Sequence, residues 1–192
     1  MPFILLSAAI VLLDQAVKAL ITHRLVMVGA SVPFLPGLLR LTLVHNFGAS
    51  WGMLSGRTTF LLILTAIVCL ALITVLLLEK PIDGFLGRLS LSFILGGAVG
   101  NALDRFTQGY VVDMFETEFM SFPVFNVADC FITVGAVLLC IYIILEEKKE
   151  KRKRQEASRL RWERSRTAAW QEAQRREELK REFDDHDDGA PG

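Results

Sequence analysis

Thr58–Leu78 reads TTFLLILTAIVCLALITVLLL, without a single charge. A bilayer core about 30 Å thick is crossed by about 20 such residues in a helix. The stretch therefore predicts a transmembrane helix, and three further windows resemble it. Pro2–Thr22 is apolar except for Asp14, Gln15 and Lys18. Phe85–Leu103 has one arginine near its start. Val127–Leu145 has Asp129 near its start. The expected fold class is an all-α membrane protein, a bundle of four transmembrane helices.

The connections between the windows differ. Glu79–Gly84 is short and contains Pro81 and Gly84, so spans two and three should form an antiparallel hairpin. His23–Arg57 is long, and in it Leu39, Leu41 and Leu43 alternate with Arg40 and Thr42. A period of two predicts a short half-buried strand, giving the bundle a small β-containing extracytoplasmic segment. Asp104–Asn126 is the other sizeable loop.

Charge divides the chain in two. Residues 1–145 hold seven Lys/Arg and eight Asp/Glu, whereas 146–192 hold fourteen and thirteen. The expected organisation is a transmembrane domain at 1–145 and a charged tail at 146–192, partly helical, with a disordered Asp/Gly/Pro end. Six of the seven residues Lys148–Arg154 are basic, directly after span four. The positive-inside rule puts that end in the cytoplasm. With four spans the N-terminus is cytoplasmic too, and both long loops face outward. Arg24, Arg40 and Arg57 pull the other way, but the juxtamembrane cluster is denser. No basic residue precedes Lys18, so the first window is read as a retained helix rather than a cleaved signal peptide. No basic patch suggests a nucleic-acid partner. Cys69, Cys130 and Cys140 have no metal or redox spacing and read as small hydrophobes.

An ionisable side chain at mid-membrane costs about 2.5–3.5 kcal/mol on insertion scales, so each is a functional candidate. Asp14 and Lys18 are one helical turn apart and can pair. Span three ends Gly96-Gly97-Ala98-Val99-Gly100-Asn101-Ala102-Leu103-Asp104-Arg105. Its small residues admit a close neighbour, while Asn101, Asp104 and Arg105 share a face. Asp104 beside Arg105 reads as an ionised brace. Asp113 is flanked by Val112 and Met114, surroundings that raise a carboxyl pKa. Asp129 follows in Phe125-Asn126-Val127-Ala128-Asp129, and the topology puts it on the same side. Two carboxylates in a low-dielectric site share a proton. One can then activate water while the other protonates. The three histidines are scattered and no metal-ligand spacing occurs. Ser50 with Lys18 stays open as another nucleophile. Asp104 stays open as a partner for either aspartate, and the sequence alone does not say which aspartate holds the resting proton.

Together these segments resemble the lipoprotein signal peptidase (signal peptidase II) family. The matching pieces are Leu13-Asp14-Gln15 with Lys18, Asn46-Phe47-Gly48-Ala49-Ser50, Gly96–Asn101 with Asp104-Arg105, Gly109–Asp113 and Phe122–Asp129, in the family's order over about residues 10–145. The resemblance implies an aspartic endopeptidase with Asp113 and Asp129 as its catalytic dyad. Asn46, Gly48, Asn101, Asp104, Arg105, Asn126 and Ala128 would bind substrate or support the site, with Asp14 and Lys18 nearby. The implied substrate is a prolipoprotein bearing a diacylglyceryl cysteine, cut on the amino side of that cysteine. The implied setting is the cytoplasmic membrane of a bacterium, with the site near the outer leaflet. No metal or cofactor is implied, inhibition by the cyclic peptide globomycin is, and a monomer is the expectation. Two features depart from the family's pattern: the tail is long, and the stretch between Asp113 and Asn126, with Glu116 and Glu118, is short, which bears on the lid over the site. A small transporter using intramembrane carboxylates is the rival reading, but its acids should spread across the membrane depth. A structural subunit binding a partner through its tail would leave the polar cluster unexplained.

Overall fold

The computed structural model describes residues 2–48, 54, 56–78, 82 and 84–187, with side chains through 179. The expected turn at Glu79–Gly84, residues Ala49 and Ser50, and the tail's last five residues lie wholly or largely outside that set. The order of elements is α1 (Pro2–Arg24), β1 (Ser31–Leu35), β2 (Leu39–Asn46), α2 (Thr58–Leu77), α3 (Phe85–Gln108), β3 (Val111–Thr117) and α4 (Val127–Asp187). All four helices contain a stretch long and apolar enough to cross a membrane. Each begins at the residue hydropathy suggests. Helix α3 runs past the expected Leu103 to Gln108, where Gly109 takes a left-handed conformation (φ 81°) and caps it.

The chain forms two compact units, Met1–Ile143 and Ile144–Gly192. In the first, α3 is central and packs against both α1 and α2. Its glycines make this possible. A methyl group on Gly97 would lie 2.3 Å from the Ala128 carbonyl oxygen of α4, and one on Gly96 would lie 2.8 Å from Ile10 Cβ of α1. The outward faces are apolar, as at Leu12, Ile63, Ile67 and Leu70. Such faces suit lipid, where no hydrophobic penalty attaches to exposure.

Three antiparallel strands in the order β1-β2-β3 form the sheet. The Leu39–Leu43 alternation lies in β2 as expected, but β1 and β3 were not anticipated. A bulge on β2 changes the register from Leu41↔Phe115 to Val44↔Asp113. A one-residue slip exchanges the faces of a strand. The bulge therefore puts Asn46, two residues past Val44, on the face that carries Asp113. Leu43, Val112 and Met114 form a buried cluster with Ile21 and Leu25 of the α1 end. Beyond β3, Phe125 pairs with Phe115, its N–H donating to the Phe115 carbonyl at 3.1 Å. Glu118 ties β3 to the β1–β2 turn by accepting from the Gly37 N–H at 2.7 Å.

The second unit is one helical run through Asp187, more helical than its composition alone suggests. Ion pairs one turn apart line it, among them Lys151–Glu147, Arg159–Glu163 and Arg176–Glu172. Such pairs each add a few tenths of a kcal/mol to an isolated helix.

Candidate active site

The eleven residues singled out in the sequence converge on one polar network where α1, α3, β2, β3 and the start of α4 meet. Asp129 is three residues into α4. Its backbone N–H donates to Asn126 Oδ1 at 2.9 Å, and the Asn126 N–H donates back to Asp129 Oδ2 at 3.2 Å. This reciprocal arrangement is a capping box, legible in the Asn-x-x-Asp spacing. It satisfies backbone donors at the helix start and fixes the Asp129 carboxylate in the first turn, where the helix dipole favours a negative charge.

Asp113 is supplied by β3 and is 2% exposed. Its Oδ1 accepts from Asn126 Nδ2 at 2.7 Å, and its Oδ2 from Asn46 Nδ2 at 2.9 Å. Asn101 Nδ2 donates to Asp129 Oδ1 at 2.8 Å. Burial pushes the Asp113 carboxyl up to about 7, and the neighbouring Asp129 charge adds to the rise; the Asn46 and Asn126 donors oppose it. Asp113 is thus a carboxyl that can hold a proton near neutrality beside a second, better-solvated one.

Behind the aspartates lies a buried triad. Lys18 Nζ is 2.8 Å from Asp14 Oδ2 and 2.8 Å from Asp104 Oδ2. Each triad carboxylate also accepts the backbone N–H just before one of the two aspartates. Asp104 Oδ2 takes Val112 N at 3.1 Å, and Asp14 Oδ1 takes Ala128 N at 2.9 Å. One ion cluster thereby sets the register of both segments. Gly100 leaves room for it, since a methyl group there would lie 2.7 Å from Asp14 Oδ2.

Asp104 is a brace, as expected, but its partner is Lys18 rather than the adjacent Arg105. Consecutive helical side chains diverge, so Asp104 turns inward to Lys18. Arg105 instead donates through Nη2 to the Gly48 carbonyl at 2.9 Å. The Gly48 N–H in turn donates to Asn46 Oδ1 at 2.9 Å. Arg105 thus anchors the loop after β2 that aims Asn46 at Asp113. Lys18 has its three donors taken by Asp14, Asp104 and Asn101, which leaves no free amine to activate Ser50. Gln15, noted in the sequence as a polar interruption of the first span and as part of a matching segment, was given no role. Its Nε2 donates to Asp104 Oδ1 at 2.8 Å, a role its position beside Asp14 in an apolar span could have signalled.

The two aspartates open on a cavity of about 600 Å³. Its lining is polar at Asn46, Asn101 and Arg105 and apolar at Phe122, Val124, Phe125, Ile132 and Val134. A cavity lined by both polar and apolar side chains suits a ligand that is itself part polar and part hydrocarbon.

The family described as Signal peptidase (SPase) II matches residues 6–145. The chain belongs to the signal peptidase II family. A lipoprotein signal peptidase of Enterococcus faecalis is 44% identical over 149 residues, covering 78% of this chain and 91% of that one. One from Lactiplantibacillus plantarum is 38% identical over 150 residues, covering 78% and 98%. A solved structure described as a bacterial membrane enzyme superposes with a TM-score of 0.72 at 33% identity, covering 77% of this chain and 90% of that one. A second so described gives 0.67 at 34% identity, covering 74% and 92%. As a signal peptidase II the chain is an aspartic peptidase and a membrane enzyme, which sets aside the transporter and structural-subunit readings. The tail lies beyond the matched residues.

Proposed function

We propose that Asp113 and Asp129 are the catalytic dyad, and that the substrate is a prolipoprotein whose cysteine carries a diacylglyceryl group. The single observation that carries the dyad is the paired environment. Two carboxyls from different elements are held by one asparagine network at the same cavity, and one of them is pushed up to about 7. In this reading Asp113 holds the shared proton and Asp129 is ionised. Asp129 takes a proton as water adds to the peptide carbonyl carbon, while Asp113 gives its proton to the carbonyl oxygen. The resulting diol collapses as the C–N bond breaks. The proton on Asp129 passes to the departing amine, and Asp113 recovers a proton from the diol hydroxyl. The amine that leaves belongs to the lipidated cysteine, so cleavage falls on its amino side. The apolar part of the cavity lining takes the acyl chains or the signal helix.

The basic run Lys148–Arg154 supports a cytoplasmic C-terminus, hence a cytoplasmic N-terminus and a site near the outer leaflet of the bacterial cytoplasmic membrane. The transmembrane peptidase domain is taken as 1–145 and the tail as 146–192, working as a monomer. The test is mass analysis of a diacylglyceryl-modified precursor incubated with the purified enzyme, with and without globomycin. A new N-terminus at the modified cysteine, absent with globomycin, is expected. Cleavage elsewhere, or equal cleavage of the unmodified precursor, contradicts the substrate assignment.

A further inference from the structure

The three asparagines of the site follow one rule. Each turns its amide nitrogen towards the aspartates: Asn46 and Asn126 donate to Asp113, and Asn101 donates to Asp129. A side-chain amide keeps such an orientation only if a donor holds its oxygen. Asn46 Oδ1 is held by the Gly48 N–H, and Asn126 Oδ1 by the Asp129 N–H. Among the described residues no backbone N–H reaches Asn101 Oδ1. Its donors are Lys18 Nζ at 3.0 Å and Asn126 Nδ2 at 3.0 Å.

The second of these is indecisive. Asn126 Nδ2 has two hydrogens and three acceptors within reach: Asn101 Oδ1, the Val112 carbonyl and Asp113 Oδ1. An ammonium group has no acceptor capacity, so it admits one orientation of the amide before it. Were Asn101 turned over, its NH2 would abut the ammonium and its carbonyl oxygen would face the Asp129 carboxylate. Both contacts are repulsive, in a place where Lys18 is 3% exposed.

We propose that Lys18 is a positioning residue for the peptide-cleaving reaction: its ammonium fixes the Asn101 amide in the orientation that donates to Asp129. Asp14 and Asp104 hold the ammonium in place and Gln15 braces both. The charged groups around Asp129 are Arg105, whose Nη1 donates to the Asn101 backbone carbonyl at 3.4 Å and whose charge acts on Asp129 and Asp113, and Asp113 itself, all lining one cavity. The proposal rests on Asp129 being one of the catalytic pair. Without the donated hydrogen bond the charged carboxylate loses a stabilising partner. The loss of activity at low pH should then begin at a higher pH.

A double-mutant cycle tests this on the full-length enzyme. One arm is Asn101→Leu. The other is Lys18→Met with Asp104→Asn, which leaves the formal charge of the triad unchanged. Each arm should lower kcat about 10- to 100-fold, the effect of one hydrogen bond to a charged group, with little change in KM. Each should move the acid-side limb of the kcat profile up by about one pH unit. The combined variant should be no worse than the weaker arm, because both remove the same link. Multiplying losses, or a loss of kcat with an unmoved acid limb in either arm, would mean Lys18 is only structural and overturns the proposal. Should the Lys18 arm not fold, Asn101→Leu must still show the shifted limb, and a wild-type profile there overturns it alone. The dyad reading fails on a different result, activity retained in Asp113→Asn or Asp129→Asn.

Discussion

Asp113 carries two measurable consequences. Its folded-state pKa is raised from 3.8 to about 7, so between those values the folded chain holds a proton that the unfolded chain has released. Stability therefore falls as pH rises through that window, by on the order of 4 kcal/mol at the upper limit for an independent group. Asp113→Asn should remove this slope. Thermal melts from pH 5 to pH 8 should show the wild type losing stability relative to the variant; parallel melts would show that Asp113 does not hold the proton. Second, a protonated Asp113 predicts that kcat/KM declines above about pH 7. Asn46→Ala removes a donor that favours the charged form. It should move that decline to higher pH while lowering the maximal rate, and a pH–rate series on the variant reads both. At this scale part was legible. Apolar neighbours marked Asp113, whereas the cap that fixes Asp129 was not read, although the Asn126-x-x-Asp129 spacing carries it. The partner of Asp104 was not legible, because adjacency in sequence suggested Arg105 whereas helix geometry sends the carboxylate to Lys18 on another span.

At the scale of elements, α3 depends on having no side chains at its crossings. Gly97 faces the Ala128 carbonyl oxygen, where an added methyl would sit at 2.3 Å against backbone. Backbone cannot rotate away as a flexible side chain would. Gly97→Ala should therefore cost about 1–3 kcal/mol, as overpacked sites do, and displace the α4 start with Asp129. Lower melting temperature together with reduced kcat is expected; an unchanged melt would contradict the close crossing. The sequence pattern named these glycines as packing residues, and that reading needed only composition. Strand β3 escaped notice because Val111–Phe115 is a short apolar run around one acid, with no alternation to mark it. The bulge that puts Asn46 on the face of Asp113 is a property of pairing between strands, which a single strand's pattern does not contain.

For the whole molecule, four apolar windows were enough to name the helices, since a bilayer imposes one length on every span. The division of the tail was visible as a change of charge density, while its continuous helix arises from pairs one turn apart that composition counts cannot see. The family match ends at residue 145 and the first compact unit at Ile143. A chain ended after Arg154, keeping the juxtamembrane basic run, should cleave precursor at a rate within about 2-fold of the full protein, given that the family match stops short of the tail. A large loss in a membrane-inserted truncation would give the tail a part in catalysis. The central claim is the dyad itself, and single-turnover cleavage of a diacylglyceryl-modified precursor tests it most directly. Asp113→Asn and Asp129→Asn, each shown to be inserted and folded by its melt, should release no signal peptide. Release at the normal rate by either variant would contradict the account.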